Sequence, residues 1–290
     1  MTTRQVMVGL DGSPQSEAAA VWAAQEAQRL GSALCLLHVW PWLSGENVDR
    51  SNPCDLRPAA LDVLARVADR IRLAHPGLAV EVAVRPDDPV DGLIAEARGQ
   101  EMVVLGSRGL GGFAGLLVGS VSLAVAARAT VPTVLVRGKS PDHDFARSTG
   151  EIVVGLDSRQ PGEAVLDFAF TEAERRGATL RAVHGWDPVP AWAFGGVVLP
   201  PVDLPAQEST ESALLSGHLA DQRARHPGVN VVEDVRLGGA ARAVLDAAAG
   251  AELVVIGRRE RRHHVGALLG PVAHAVLHHS TTPVVVVPHP

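Results

Sequence analysis

Val6-Met-Val-Gly-Leu-Asp11 and Ile152-Val-Val-Gly-Leu-Asp157 are one short pattern written twice, displaced by 157 − 11 = 146 residues. Working outward, Leu37-His38-Val39-Trp40 recurs as Val183-His184-Gly185-Trp186 at the same displacement. Beyond that the displacement grows to 151: His75-Pro76-Gly77 matches His226-Pro227-Gly228, and Met102-Val-Val-Leu-Gly106 matches Leu253-Val-Val-Ile-Gly257. Val131-Pro-Thr-Val-Leu-Val136 likewise matches Thr282-Pro-Val-Val-Val-Val287. The net insertion of 151 − 146 = 5 residues falls between Trp186 and His226, in the Pro/Gly-rich stretch from Asp187 to Pro205. Loops accept such changes and packed elements do not. The chain is therefore a duplication, as self-similarity at long period implies.

Within each copy, short apolar runs alternate with amphipathic stretches. In the first, strands are expected at about 4–10, 33–39, 78–84, 102–106 and 131–136, with helices of about 14–30, 56–74, 90–98 and 120–129 between them. Runs such as Met102-Val-Val-Leu are apolar without alternation, the pattern of strands covered on both faces. Alternating strands and helices of this kind build an α/β fold: two tandem, doubly wound, five-stranded parallel-sheet domains. The boundaries expected are 1–138 and 151–290, joined by a polar linker over 139–150.

In such a sheet, ligands bind beyond the carboxyl ends of the strands, where the winding reverses. Two features of the first copy lie there. Gly9-Leu10-Asp11-Gly12-Ser13-Pro14 ends the first strand, and Gly106-Ser107-Arg108-Gly109 ends the fourth. Nine residues later (Leu110 to Val118) come Gly119-Ser120-Val121-Ser122 and a helix. Gly106 and Gly109 let the backbone approach a ligand without a Cβ in the way. Gly119 and Ser120 open a helix whose free N–H groups favour an anion. Ser120 and Ser122 add hydroxyl donors, and Arg108 adds positive charge. Asp11 cannot meet a phosphate directly; as a carboxylate it suits a Mg²⁺ ion or a sugar hydroxyl. The plain alternative is a flexible glycine-rich surface loop with Ser120 as a helix cap. Placement after a buried strand and before a helix favours a polyphosphate cradle.

The spacing Gly-x2-Gly-x9-Gly-Ser at Gly106, Gly109, Gly119 and Ser120 resembles the ATP-binding signature of the universal stress protein family. Val8-Gly9-Leu10-Asp11-Gly12-Ser13 and the Val131–Val136 ending are similar to that family too, and the likeness covers nearly the whole chain, twice. The resemblance implies an adenine-nucleotide alpha-hydrolase-like fold with ATP as ligand, with or without Mg. It places Gly9, Leu10 and Asp11 by the adenosine and phosphates, and Val39 against the adenine. Leu105 and Gly106 flank the nucleotide, while Gly109, Gly119, Ser120, Val121 and Ser122 surround ribose and phosphates. It also implies pairing of final strands, here Val131–Val136 with Val284–Val287 inside one chain, or else a homodimer; either covers exposed sheet edges.

The second copy keeps Asp157, Gly257 and Gly270, but Glu260 stands where the first has Gly109, and Pro271 where it has Ser120. Glu260 brings a side chain and a negative charge to the cradle; Pro271 lacks both hydroxyl and N–H, though it suits a helix start. The basic run Arg258-Arg259-Glu260-Arg261-Arg262-His263-His264 is either a solvated face or a charge-based substitute for the lost donors. One nucleotide per chain is the expectation.

Composition narrows the rest. A net charge of −6 disfavours nucleic acid and anionic membranes as partners. No apolar run approaches membrane-spanning length, and no leader pattern precedes the first strand. Cys35 reads as a small buried hydrophobe and Cys54 lies in a loop, which suits a reducing cytoplasm better than a disulfide framework. His274 and His278 share a helix face without completing a zinc signature, and His38 and His184 recur as structural hydrogen-bonders. Asp87-Asp88 and Glu233-Asp234 read as solvated turns and strand ends. No Walker lysine and no arranged general base accompany the loop. The leading expectation is a non-catalytic ATP-binding stress protein. A slow Mg-dependent ATPase and a nucleotide-free interaction scaffold are the alternatives.

Overall fold

The computed structural model of the 290-residue chain describes residues 4–40, 57–109, 118–138, 150–188, 203–260 and 269–290. The first copy folds in the order β1 (Gln5–Gly9), α1 (Pro14–Leu30), β2 (Ala33–Val39), α2 (Arg57–Ala74), β3 (Val80–Arg85), α3 (Pro89–Ala97), β4 (Met102–Gly106), α4 (Ser120–Arg128) and β5 (Thr133–Val136). The second repeats it as β6 (Glu151–Gly155), α5 (Glu163–Arg176), β7 (Thr179–Trp186), α6 (Leu204–Arg225), β8 (Val231–Leu237), α7 (Ala240–Ala247), β9 (Leu253–Arg259), α8 (Pro271–His279) and β10 (Val284–His289).

Two compact units result. In the first, parallel strands run in the order β3-β2-β1-β4-β5. The chain winds outward from β1 to β3 and then returns to add β4 and β5 on the other side. The winding therefore reverses between β1 and β4, and register brings Gly9 level with Leu37 on one side and Leu105 on the other. Pro283–Pro288 also belong to this unit, and within it Val284, Val285 and Val286 run antiparallel to Leu135, Val134 and Thr133. In the second unit β9-β6-β7-β8 repeat the parallel order.

Helix α1 owes its close seat on the sheet to a face of alanines: Ala19, Ala20, Ala23, Ala24 and Ala27 are fully buried. Ser13 caps its start and Gly31, left-handed at φ 62°, ends it. On the opposite face α3 and α4 pack through Leu93, Ile94, Ala97 and Val125 onto Met7, Leu37, Val103 and Leu105. Burying each of these large side chains contributes about 1.5–3 kcal/mol. The rim of that core, at the strands' carboxyl ends, is left open.

Candidate functional site

The carboxyl end of β1 is held before any ligand is considered. Leu10 N–H donates to Leu37 O at 2.8 Å, and His38 Nδ1 meets Leu10 O at 2.5 Å. The carbonyl only accepts, so Nδ1 carries the proton. Ser13 N–H then donates to Asp11 Oδ1 at 2.9 Å, and Ser16 N–H to Ser13 Oγ at 3.1 Å. Asp11 is thus aimed by the first turn of α1 rather than left to swing.

The fourth strand is fixed against the same turn. A Cβ on Gly106 would come 2.8 Å from the Gln15 carbonyl carbon and 2.9 Å from Ser16 N, so helix backbone rests on this glycine. Ser107 N–H donates to Val136 O at 2.9 Å, and Gly119 N–H folds back to Ser107 O at 2.7 Å. That return carries the chain into α4, whose N-cap is Gly119, with no side chain serving the amides that follow. The first intrahelical bond runs from Leu123 N–H to Gly119 O, which leaves the Ser120, Val121 and Ser122 amides pointing out of the helix start.

Between these parts lies a cavity of about 450 Å³. Its base is the strand ends, with Gly9 from β1 and Leu10 and Asp11 directly after it, Val39 from β2, and Leu105 and Gly106 from β4. Arg108, Gly109, Gly119, Ser120, Val121 and Ser122 complete one side. All twelve first-copy positions singled out in the sequence are brought together here. Five more contribute to which the sequence assigned no ligand role: Ser16, Leu37, Pro89, Leu93 and Val118. The Ser13-Pro14 and Asp88-Pro89 helix starts were their available signal, since each places the next turn at a strand end. Asp88 caps α3 through Val90 and Asp91 N–H, a firmer role than a solvated turn.

Polarity is segregated within the cleft. Leu37, Val39, Leu93 and Leu105 make one end apolar, while Arg108, Gly109 and the α4 amides make the other cationic or hydrogen-donating. Asp11 supplies the one carboxylate among the lining residues. One expectation needs correction. The Ser122 hydroxyl is buried and donates to Gly106 O at 2.7 Å, tying α4 to β4. Its single proton is engaged, so Ser122 offers a ligand its amide and not its hydroxyl.

The second copy assembles differently. β9 continues through Arg259, where β4 stops at Gly106 (the counterpart of Gly257), and Glu260 N–H donates to His289 O at 2.8 Å. Strand pairing thus carries on where the first copy turns into its cradle. The His289 ring lies between Gly257 and Gly162: a Cβ on either would stand 2.9 or 3.0 Å from a ring nitrogen. Arg259 approaches Asp157 at 3.7 Å, and Gly270 faces open space. Among the described residues, Asp157 is thus approached by Arg259 and Gly257 is covered by His289. Burial lowers the His289 pKa, and the Arg258 and Arg259 charges add to this. Nearby, buried Glu211 accepts from Ser158 Oγ at 2.7 Å and meets His184 Nε2 at 3.2 Å, while His184 Nδ1 meets Leu156 O at 3.1 Å. The recurring histidines are structural in both copies. Glu233 and Asp234 lie inside β8, not at a solvated end, with Asp234 paired to Arg236 and Arg181. No group of three metal-ligating side chains occurs among the described residues, and no described helix is long and apolar enough to cross a membrane.

The same organisation recurs in known proteins. The universal stress protein family model matches residues 2–137 and again 149–288. A universal stress protein of Mycolicibacterium smegmatis is 34% identical over 97% of this chain and 96% of its own. One from Mycobacterium tuberculosis strain H37Rv is likewise 34% identical, over 97% of this chain and 96% of its own. Among solved structures, a universal stress protein from Archaeoglobus fulgidus aligns with a TM-score of 0.70 at 20% identity, covering 99% of both chains. With both copies matched and the whole length shared, this chain belongs to the universal stress protein family, as a two-domain member.

Proposed function

We propose that the first copy binds one adenine nucleotide, ATP, without catalysing its breakdown, and that occupancy regulates conformation or association in a cytoplasmic stress response. The observation that carries this is the division of one cleft into an apolar end and an end of amides and arginine. Leu37, Val39, Leu93 and Leu105 suit a flat base. Free amides of Ser120, Val121 and Ser122 at a helix start suit phosphates, where the helix dipole adds to hydrogen bonding. Asp11 takes a ribose hydroxyl or holds Mg²⁺ through water. Among the lining residues no histidine or lysine stands ready as base or phosphate clamp, and this favours binding over turnover.

The second copy binds none in this reading, because its Gly257 is covered by His289 and its strand runs past the turn. The antiparallel register of Val284–Val286 with Thr133–Leu135 supports strand pairing within one chain, with a homodimer as the alternative. Denaturing the purified protein and identifying what it releases by mass spectrometry tests the ligand. ATP at about one per chain is the expected result. Recovery of no adenine nucleotide, with no uptake when ATP is added, would leave a scaffold. Steady release of ADP from Mg²⁺ and ATP would make it a slow ATPase.

A further inference from the structure

β4 and β5 run side by side, with Gly106 level with Val136 and Ser107 N–H bonded to Val136 O at 2.9 Å. Arg137 therefore leaves β5 beside the point where Ser107 and Arg108 leave β4. Arg108 lines the cleft at its anion-receptive end; Arg137, outside the lining itself, lies close enough for the Arg108 charge to act on it and was singled out by no motif. Their surroundings differ. Arg108 is exposed, whereas Arg137 is half-buried, so its guanidinium keeps less water. Burial, and then the Arg108 charge, push the Arg137 pKa down from its ordinary value. Two guanidiniums that repel one another become an asset when an anion of more than one charge comes between them, because each then gains an attraction that weak screening preserves.

The second copy serves as an internal control. The counterpart of Arg137 is Pro288 (288 − 151 = 137), and the counterpart of Arg108 is Arg259 (259 − 151 = 108). The first copy therefore carries an arginine at the end of its last strand beside Arg108, and the second carries a proline at that position.

We propose that Arg137 is a specificity-determining residue that acts with Arg108 to make the cleft select its adenylate by phosphate-chain length, favouring triphosphate over diphosphate over monophosphate. This rests on the nucleotide reading of the same cleft. The α4 amides hold the phosphates nearest the ribose, and the paired arginines reach those beyond them, which AMP lacks. Guanidinium contacts to phosphate are the strong, charge-assisted kind.

Calorimetric titration of the full chain with ATP, ADP and AMP, for wild type, Arg137→Gln and Arg137→Lys, tests it. Arg137→Gln is expected to weaken ATP by about tenfold or more, the size of a charged hydrogen bond. It should leave AMP within about twofold, and Arg137→Lys should restore most of the ATP preference. A purely structural role would weaken all three ligands alike, and that result, or an unchanged ATP-to-AMP ratio in Arg137→Gln, would overturn the inference while leaving the nucleotide site standing. Should wild type bind none of the three, the nucleotide reading itself falls and takes this one with it. A melting curve for each variant separates misfolding from lost contact, and Arg137→Lys, which keeps size and charge, decides the matter if Arg137→Gln does not fold.

Discussion

A Cβ on Gly109 would overlap Oδ2 of Asp11, the carboxylate that Ser13 N–H holds from the other side. The segments that leave β1 and β4 thus meet at a contact that leaves no room for a side chain. Gly109 is not in the left-handed region of backbone space, so its requirement is steric and not conformational.

Gly109→Ala should therefore displace Asp11 and weaken ATP by about tenfold or more, with little loss of fold, because the clash is with a side chain at the rim. Asp11→Ala removes the obstacle. In a double-mutant cycle by titration calorimetry, Gly109→Ala should cost much less in the Asp11→Ala background. Additive effects would show that the contact does not matter to binding.

Gly119 offers the opposite case. A Cβ there would meet Arg108 Cα at 3.7 Å and Gly109 N at 3.8 Å, ordinary contact distances. The described residues leave space for alanine. Gly119→Ala should keep the melting temperature within a few degrees, since a cap change costs about 1 kcal/mol, while ATP affinity falls because the methyl enters the space reserved for phosphate. Unchanged affinity would mean the ligand does not approach this amide.

The wedge at His289 predicts an acid-sensitive second domain. Its pKa is lowered below the ordinary 6.5, chiefly by burial. Above 6.5 the ring is neutral folded and unfolded; as pH falls below it, the unfolded chain takes the proton first, and stability is lost through the folded pKa. Arg258 and Arg259 add to this repulsion and Glu260 opposes it. Thermal melts below pH 6.5 should show a steeper loss for wild type than for His289→Leu. Equal slopes would put the acid sensitivity elsewhere.

Cys35 gives a test at the other end of the scale. Burial, followed by Glu81 and Glu96, pushes its thiol from 9.0 up to about 11. The thiol stays protonated in the fold while the unfolded chain ionises, so its contribution is intact below 9.0 and lost as pH rises to about 11. Cys35→Ala should flatten that stretch of the stability curve. In a Cys54→Ser background, Cys35 should also react slowly with thiol reagents at neutral pH until denaturant is added.

The repeat, the strand–helix alternation and the first cleft were legible because each is local or periodic. Gly106, Gly109 and Gly119 announce themselves by spacing, and Val39 and Asp11 by ending strands. Leu93 and Pro89 were not legible: they reach the cleft from α3, across the sheet, and an apolar residue on a helix face looks the same whether it lines a core or a cleft. In the second copy the departures at Glu260 and Pro271 are visible in the sequence, and the position of His289 is not. That wedge depends on a residue distant in sequence filling the gap between Gly162 and Gly257, which only the fold brings together. Ser122 looked like a ligand hydroxyl because nothing in sequence shows that Gly106 O lies 2.7 Å away.

The first copy is expected to bind nucleotide and the second is not. Equilibrium dialysis of the intact chain against labelled ATP counts sites directly. It should saturate at one ATP per chain for wild type and at none for Gly109→Glu, which places the second copy's residue in the first. Saturation at two, or full retention of binding by Gly109→Glu, would contradict that expectation.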